Sequence, residues 1–150
     1  MKFNRFQGDP AIKITENGAE MKFTGGQPEM DHGLNNYVLI ALGTKKGWWG
    51  NSLIKNADRQ IGSNFDRHRT IVENDTINDT TDDADKALKP MINTGLASKI
   101  DITVINPNMN YILTDIKIYP PGQDVNELLI LQNGLNWIAQ AQDPAHERLT

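Results

Sequence analysis

The sequence predicts an α+β fold: a mostly antiparallel sheet of about six strands with two or three helices packed on one side. Three observations carry that expectation. Apolar residues alternate with period two, most plainly at Ile100-Ile102-Val104 and at Ile112, Ile116 and Ile118. Two other stretches repeat at helical spacing, Leu34-Tyr37-Val38-Ala41-Leu42 and Ala84-Ala87-Leu88-Met91-Ile92. Short Asn, Gly and Pro turns join the extended stretches, which leaves consecutive strands antiparallel. At 150 residues the chain is long enough for one hydrophobic core and short for two, so 1–150 is expected to be a single domain.

In chain order, residues 11–23 read as an N-terminal hairpin with Asn17-Gly18 as its two-residue turn. Counting back from that turn sets Ile14 opposite Met21, Ile12 opposite Phe23 and Lys13 opposite Lys22, with the apolar side chains sharing one buried face. Gly25-Gly26-Gln27-Pro28 is a loop, and Asp31 can cap the helix that follows. That helix carries Leu34, Tyr37, Val38, Ala41 and Leu42 on one side and ends at Gly43. The apolar face of the hairpin is the nearest surface on which it could pack.

Residues 44–80 show no clear period. A structureless loop of that length is unusual in a compact domain, so either a short helix lies near Ser63 to Glu73 or the segment is ordered by a partner. From Thr81 a helical face returns, with Thr80, Thr81 and Asp82 available for capping. Pro90 removes a backbone donor and disfavours helix at Lys89, which predicts a break near Leu88 and a second short turn ending at Gly95. Strands follow over 100–105 and 111–119 around Asn106-Pro107-Asn108, and Pro120-Pro121-Gly122 stops the second. Residues 127–142 fit either a helix or a hairpin around Asn133-Gly134 that sets Ile130 opposite Trp137 and Leu128 opposite Ala139. The hairpin is preferred. The polar tail 143–150 is expected to be mobile unless bound.

Composition narrows the function classes. Cysteine is absent, which excludes disulfides, thiolate metal sites and a cysteine nucleophile. No apolar run approaches membrane-spanning length, and Met1-Lys2-Phe3-Asn4-Arg5 lacks the apolar stretch of a secretory signal. The chain is therefore expected to work in a cytoplasm or in an assembly built there. A net charge of −4 argues against a strongly basic nucleic-acid binder. That average hides two blocks. Glu73 to Asp85 holds six acids and no base, and Lys45 to Arg69 holds six bases against two acids. They read as two solvated surface loops, or as patches that could attract each other or dock copies head to tail.

Sites for chemistry are poorly signalled. His32, His68 and His146 share no ligand spacing, so no metal is expected. Asp75, Asp79 and Asp82 lack the alternation and central Gly of a calcium loop. No nucleophile elbow, P-loop or dinucleotide fingerprint occurs, Ser52, Ser63 and Ser98 sit in no nucleophile context, and no carboxylate pair is singled out for glycoside hydrolysis. Neither catalytic residues nor cofactors are expected. The most unusual tetrapeptide is Gly47-Trp48-Trp49-Gly50. If extended, it can send at most one indole into the core, leaving the other as an interface anchor or a sugar-stacking platform. The alternative is that the protein's own loops cover both rings.

Together these residues resemble the small baseplate wedge proteins of Mu-like contractile-tailed phages, relatives of the lysozyme-named baseplate wedge family. The matching order is a short helix with Leu34, Val38, Leu39 and Leu42 ending in Gly43-Thr44, then Gly47-Trp48-Trp49-Gly50-Asn51, then Gly62-Ser63-Asn64-Phe65. Last comes Ala87-Leu88-Lys89-Pro90-Met91-Ile92-Asn93-Thr94-Gly95-Leu96-Ala97, leading into a strand. Lys46 and Asn51 stand where such proteins usually have Arg and Asp, and Lys89 and Met91 flank Pro90 in place of the wider family's Glu-Pro-Arg. The resemblance implies a non-enzymatic structural subunit linking the central tube region to the wedge and first sheath ring. Its implied partners are other wedge subunits, the tail sheath protein and central hub or tube proteins, with no nucleic acid and no membrane. It also implies a place in the tail baseplate of the virion, assembled in the host cytoplasm. The residues expected at partner interfaces are Trp48, Trp49, Lys45, Lys46, Arg67, Arg69, Asp82 and Asp83. A tail-associated, lysozyme-like hydrolase of cell-wall glycan is the runner-up, and a Trp-based carbohydrate-binding module the third reading.

Overall fold

A computed structural model describes residues 9–15, 17–31, 34–65, 74–108, 110–133 and 136–142, with only the backbone of 74, 136, 137 and 140–142. The architecture is α+β, with one six-stranded antiparallel sheet and two helices packed against it. Its strands are β2 (Ile12–Thr15), β3 (Gly18–Met21), β7 (Lys99–Ile105), β8 (Ile112–Tyr119), β9 (Asn126–Asn133) and β10 (Asn136–Gln142), in the order β3-β2-β10-β9-β8-β7. Two short ladders precede the first helix: β1 (Asp9–Pro10) with β6 (Met30–Asp31), and β4 (Phe23–Thr24) with β5 (Gln27–Pro28). The helices are α1 (Asn35–Gly43) and α2 (Asn74–Asn93), with short 3₁₀ turns at Trp49–Leu53 and Ala57–Arg59 between them.

Period-two burial is sharpest in β8, where Ile112, Thr114, Ile116 and Ile118 face inward and alternate residues face out. Leu128 and Ile130 of β9 and Ala139 of β10 continue that inner face. Val38, Leu39, Ala41 and Leu42 of α1 and Ala84, Leu88 and Met91 of α2 close over it. Ile12 and Ile14 of the N-terminal hairpin pack against the same core.

Both predicted hairpins form, but Asn17-Gly18 and Asn133-Gly134 are not their two-residue turns, since Gly18 pairs with Thr15 and Asn133 with Asn136, and both registers differ by two residues. In the first, Ile12 pairs with Met21, Lys13 with Glu20 and Ile14 with Ala19. The observed pairing replaces a Lys13–Lys22 opposition by a Lys13–Glu20 contact, Nζ to Oε2 3.6 Å. Like charges directly opposite disfavour a ladder, and opposite charges favour it. A shift of two keeps every side chain on its face, so Ile12 and Ile14 stay inward. Met21 and Phe23, expected to be buried beside them, are exposed, because the ladder with β2 ends at Met21 and Phe23 pairs instead with Pro28. In the second hairpin Ile130 opposes Ala139 and Leu128 opposes Ala141.

Asp31 does serve α1, from outside the usual cap position: its Oδ2 accepts the Asn36 N–H at 2.9 Å, and Leu34 is the N-cap. The buried Asn36 ties α1 to the hairpin, donating from Nδ2 to Pro10 O at 2.7 Å and accepting from Ile12 N at 3.0 Å. Helix α2 departs more from expectation. It starts at Asn74, so Thr80 and Thr81 are interior, their hydroxyls donating back to Thr76 O and Ile77 O at 2.7 and 2.9 Å. It also runs unbroken through Pro90 to Asn93. A proline in a helix interior costs about 3 kcal/mol, through the missing hydrogen bond and the clash of its ring with the preceding turn. Burial of Leu88 and Met91 on either side of Pro90 is worth roughly 1.5–3 kcal/mol each and together outweighs that cost. Ile92, expected on the apolar face, is exposed. The acid-rich stretch is helix from Asn74, so of the two expected charged loops only the described part of the basic block, 45–65, is one. No helix forms at Ser63–Phe65, and 66–73, like the tail, lies outside the described residues.

Candidate partner interface

Between α1 and α2 the chain makes a loop, 44–65, that is closed by its own polar groups. Ser63 N donates to Thr44 O at 2.8 Å and Lys46 N to Ser63 O at 3.1 Å, which joins the two ends. Ser63 Oγ donates to Leu42 O at 2.9 Å, and fully buried Phe65 plugs the loop into the core. Gln132 Nε2 reaches Phe65 O at 3.3 Å from β9. Gly62 sits at φ +134° with the Lys45 carbonyl oxygen 2.9 Å from where a Cβ would lie, so the close approach requires glycine.

Asn51 fixes the middle of the loop. Its amide nitrogen donates to Ile61 O at 2.5 Å while its Oδ1 accepts from Ile61 N at 2.9 Å. Gln60 Nε2 adds donations to Ile54 O and Asn51 O. This explains Asn51 where the resemblance leads one to expect Asp: a carboxylate could accept from Ile61 but has no proton to give its carbonyl.

The two tryptophans stand on the outside of this frame. Trp49 is 73% exposed and Trp48 37%, their ring centroids 5.5 Å apart at an interplanar angle of 47°. Neither ring enters the core, and the protein's loops do not cover them both. The extended-strand argument fails because the chain turns at Gly47 (φ +85°) and enters the 3₁₀ turn Trp49–Leu53. Trp48 lies over Gly50, where any Cβ would collide with the indole. Leu53, one turn beyond Trp49, is 77% exposed.

Of the expected basic residues, Lys45 and Lys46 lie on the exposed rim of the loop, while Arg67 and Arg69 fall outside the described residues. On α2, Asp82 faces solvent and Asp83 turns inward. Lys46 and Asp83 come together around a small hollow of about 90 Å³, with Ser63 and Lys86. Trp49 and Asp82 do not join them there. The histidines all fall outside the described residues, among which no group of three or more His, Asp or Glu is placed to hold a metal. No described helix is long and apolar enough to cross a membrane.

Sequence reasoning missed a groove of about 590 Å³ between the loop and the helix ends, lined by Tyr37, Asn56, Asp58, Arg59, Thr94 and Leu96. Burial, and secondarily the Asp58 charge, push the Tyr37 phenol above its ordinary pKa. Asp58 is held by Asn93, whose Nδ2 donates to Oδ1 at 3.2 Å. Only the Asn56-Ala57-Asp58 turn pattern, in which Asn56 Oδ1 accepts from Asp58 N at 3.0 Å, could have been anticipated. Across the molecule, β3 and β7 form the two edges of the sheet.

The sequence matches the phage protein GP46 family over residues 23–125, a span that includes α1, the tryptophan loop, α2, β7 and β8. The chain belongs to that family. A curated GP46-type relative, the Mu-like prophage FluMu protein gp46 of Haemophilus influenzae (strain ATCC 51907 / DSM 11121 / KW20 / Rd), is 29% identical over 101 residues, covering 61% of this chain and 72% of the relative. No solved structure matches. The GP46 match leaves out β2, β3, β9 and β10, although those strands complete the sheet on which the matched helices lie.

Proposed function

We propose that this GP46-family chain is a structural, non-enzymatic subunit of a contractile-tail baseplate wedge, linking the central tube region to the wedge and the first sheath ring. The observation that carries the reading is the tryptophan loop. Its inner side is fixed by Asn51, Gln60, Ser63 and Phe65, while its outer side presents Trp49 and Leu53 to solvent. A rigid aromatic platform loses little entropy on binding, and large aromatics in such positions dominate interface energies. The phage family and the Mu-like prophage relative support a phage context for this reading. The partners in this reading are other wedge subunits, hub or tube proteins and the sheath protein. The sheet edges β3 and β7, which pair with no further strand among the described residues, suit strand addition by the sheath. Nucleic acid, membrane and cofactor have no part in it.

The test is the protein content of purified tails. The full chain is expected in intact particles, located at the baseplate by a labelled antibody, and its loss is expected to give particles without attached sheath. Absence from mature particles overturns the proposal. Turnover of cell-wall glycan by the pure chain, abolished by one carboxylate substitution, overturns its non-enzymatic half.

A further inference from the structure

We propose that the tryptophan loop takes a second copy of this chain as its partner, docking head to tail on the acid-bearing face of the neighbour's α2. The inference adds a partner to the interface assigned above and rests on that assignment.

Charge supplies the first argument. Lys45, Lys46, Lys55 and Arg59 are exposed around the loop and form no ion pair among the described residues, whose ion pairs are Lys13–Glu20 and Lys99–Asp101. Asp75, Asp79, Asp82 and Asp85 are exposed on α2 and are likewise without an ion pair. Positions 75, 79 and 82 follow at i, i+4 and i+7, so they make one outward stripe, with Asp85 beside it. Only Asp83 turns toward its own loop, where it meets the hollow beside Lys46. Among the described residues the opposed patches therefore find no partner within one molecule.

The apolar component is the second argument. Exposed ion pairs contribute about 0–1 kcal/mol each, too little to hold two copies. Trp49 and Leu53 share one short turn, Leu53 borders a hollow lined by Lys55 and Arg59, and covering the two apolar side chains supplies the desolvation that the charges lack. The overall charge of −4 makes copies repel in most orientations, so the basic loop selects the productive one. Because loop and stripe are different surfaces, the contact is heterologous: each bound copy still offers one free loop and one free helix, and repetition gives a ring or a chain.

Sedimentation velocity of the purified full chain over a concentration series tests this. Association that grows with concentration is expected, weakening at least about tenfold when salt rises from about 0.1 M to about 1 M and the screening length falls from about 10 Å to about 3 Å. Lys45→Glu with Lys46→Glu, and separately Asp79→Lys with Asp82→Lys, should each abolish it with unchanged circular dichroism, since all four residues are exposed. Mixing the two reversed variants should restore it, because each then offers the other a complementary loop and helix. A wild-type chain that stays monomeric throughout overturns the proposal, as does association indifferent to both reversals, or a mixture that fails to associate. Any of these leaves the wedge reading standing, since that is decided by particle content.

Discussion

Helix α2 and the tryptophan loop are adjacent stretches of similar length held by different physics. The helix is fixed by period: Thr80, Ala84, Leu88 and Met91 recur on one side and are buried, and its outer side carries exposed aspartates that the helix does not depend on for its shape. The loop has almost no period. It buries Gly50, Ser63 and Phe65, and the amides of Asn51 and Gln60 do the work that a backbone ladder does elsewhere. A surface built in the second way can expose Trp49 and Leu53 because its shape does not depend on burying them.

The comparison can be broken by substitution. The largest effect is expected in the helix: Leu88→Ala should cost about 2–5 kcal/mol, read as a fall in the urea midpoint, since it empties a fully buried position. In the loop, Gly62→Ala should cost about 1–3 kcal/mol by forcing a Cβ against the Lys45 carbonyl at a positive φ, with a changed tryptophan emission. Asn51→Asp keeps the shape and removes the donation to Ile61 O. About 1–2 kcal/mol and faster proteolysis within 44–65 are expected, whereas unchanged cleavage would mean that the amide does not hold the loop. Trp49→Ala should move stability by no more than about 0.5 kcal/mol while impairing incorporation into tails. Equal losses in both would make Trp49 a folding residue.

A smaller effect is expected where the two regions meet. Tyr37 of α1 holds its proton above the ordinary value of 10.0, through burial first and Asp58 of the loop second. The unfolded chain releases that proton earlier than the fold does. Its contribution is therefore complete below about pH 10 and is lost as pH climbs further. A phenolate absorbance titration should show one late-ionising tyrosine that disappears in Tyr37→Phe and ionises earlier in Asp58→Asn.

What could be read without coordinates follows from the same contrast. Periodicity announced β7, β8 and both helical faces, and local turn chemistry announced both hairpins. Register was not legible to better than two residues, because a two-residue shift preserves every face and only a cross-strand pair such as Lys13–Glu20 separates the alternatives. Trp48 and Trp49 stood out by composition, and Lys46 and Asp83 were named without any means of knowing that they share a hollow. Asn36 and Gln60 passed unnoticed, and Asn51 was singled out only as a departure from a motif, since an amide that bonds a distant backbone leaves no local pattern.

The sequence by itself determined the fold class, the helical and extended stretches and the family, because these depend on short-range spacing that the chain carries wherever it is placed. The tertiary structure alone decided that α2 continues through Pro90, that the hairpins pair as they do and that the tryptophans face outward. Each of those outcomes sets a local preference, the largest being the cost of about 3 kcal/mol at Pro90, against contacts with residues far along the chain. Only the assembled core supplies those contacts.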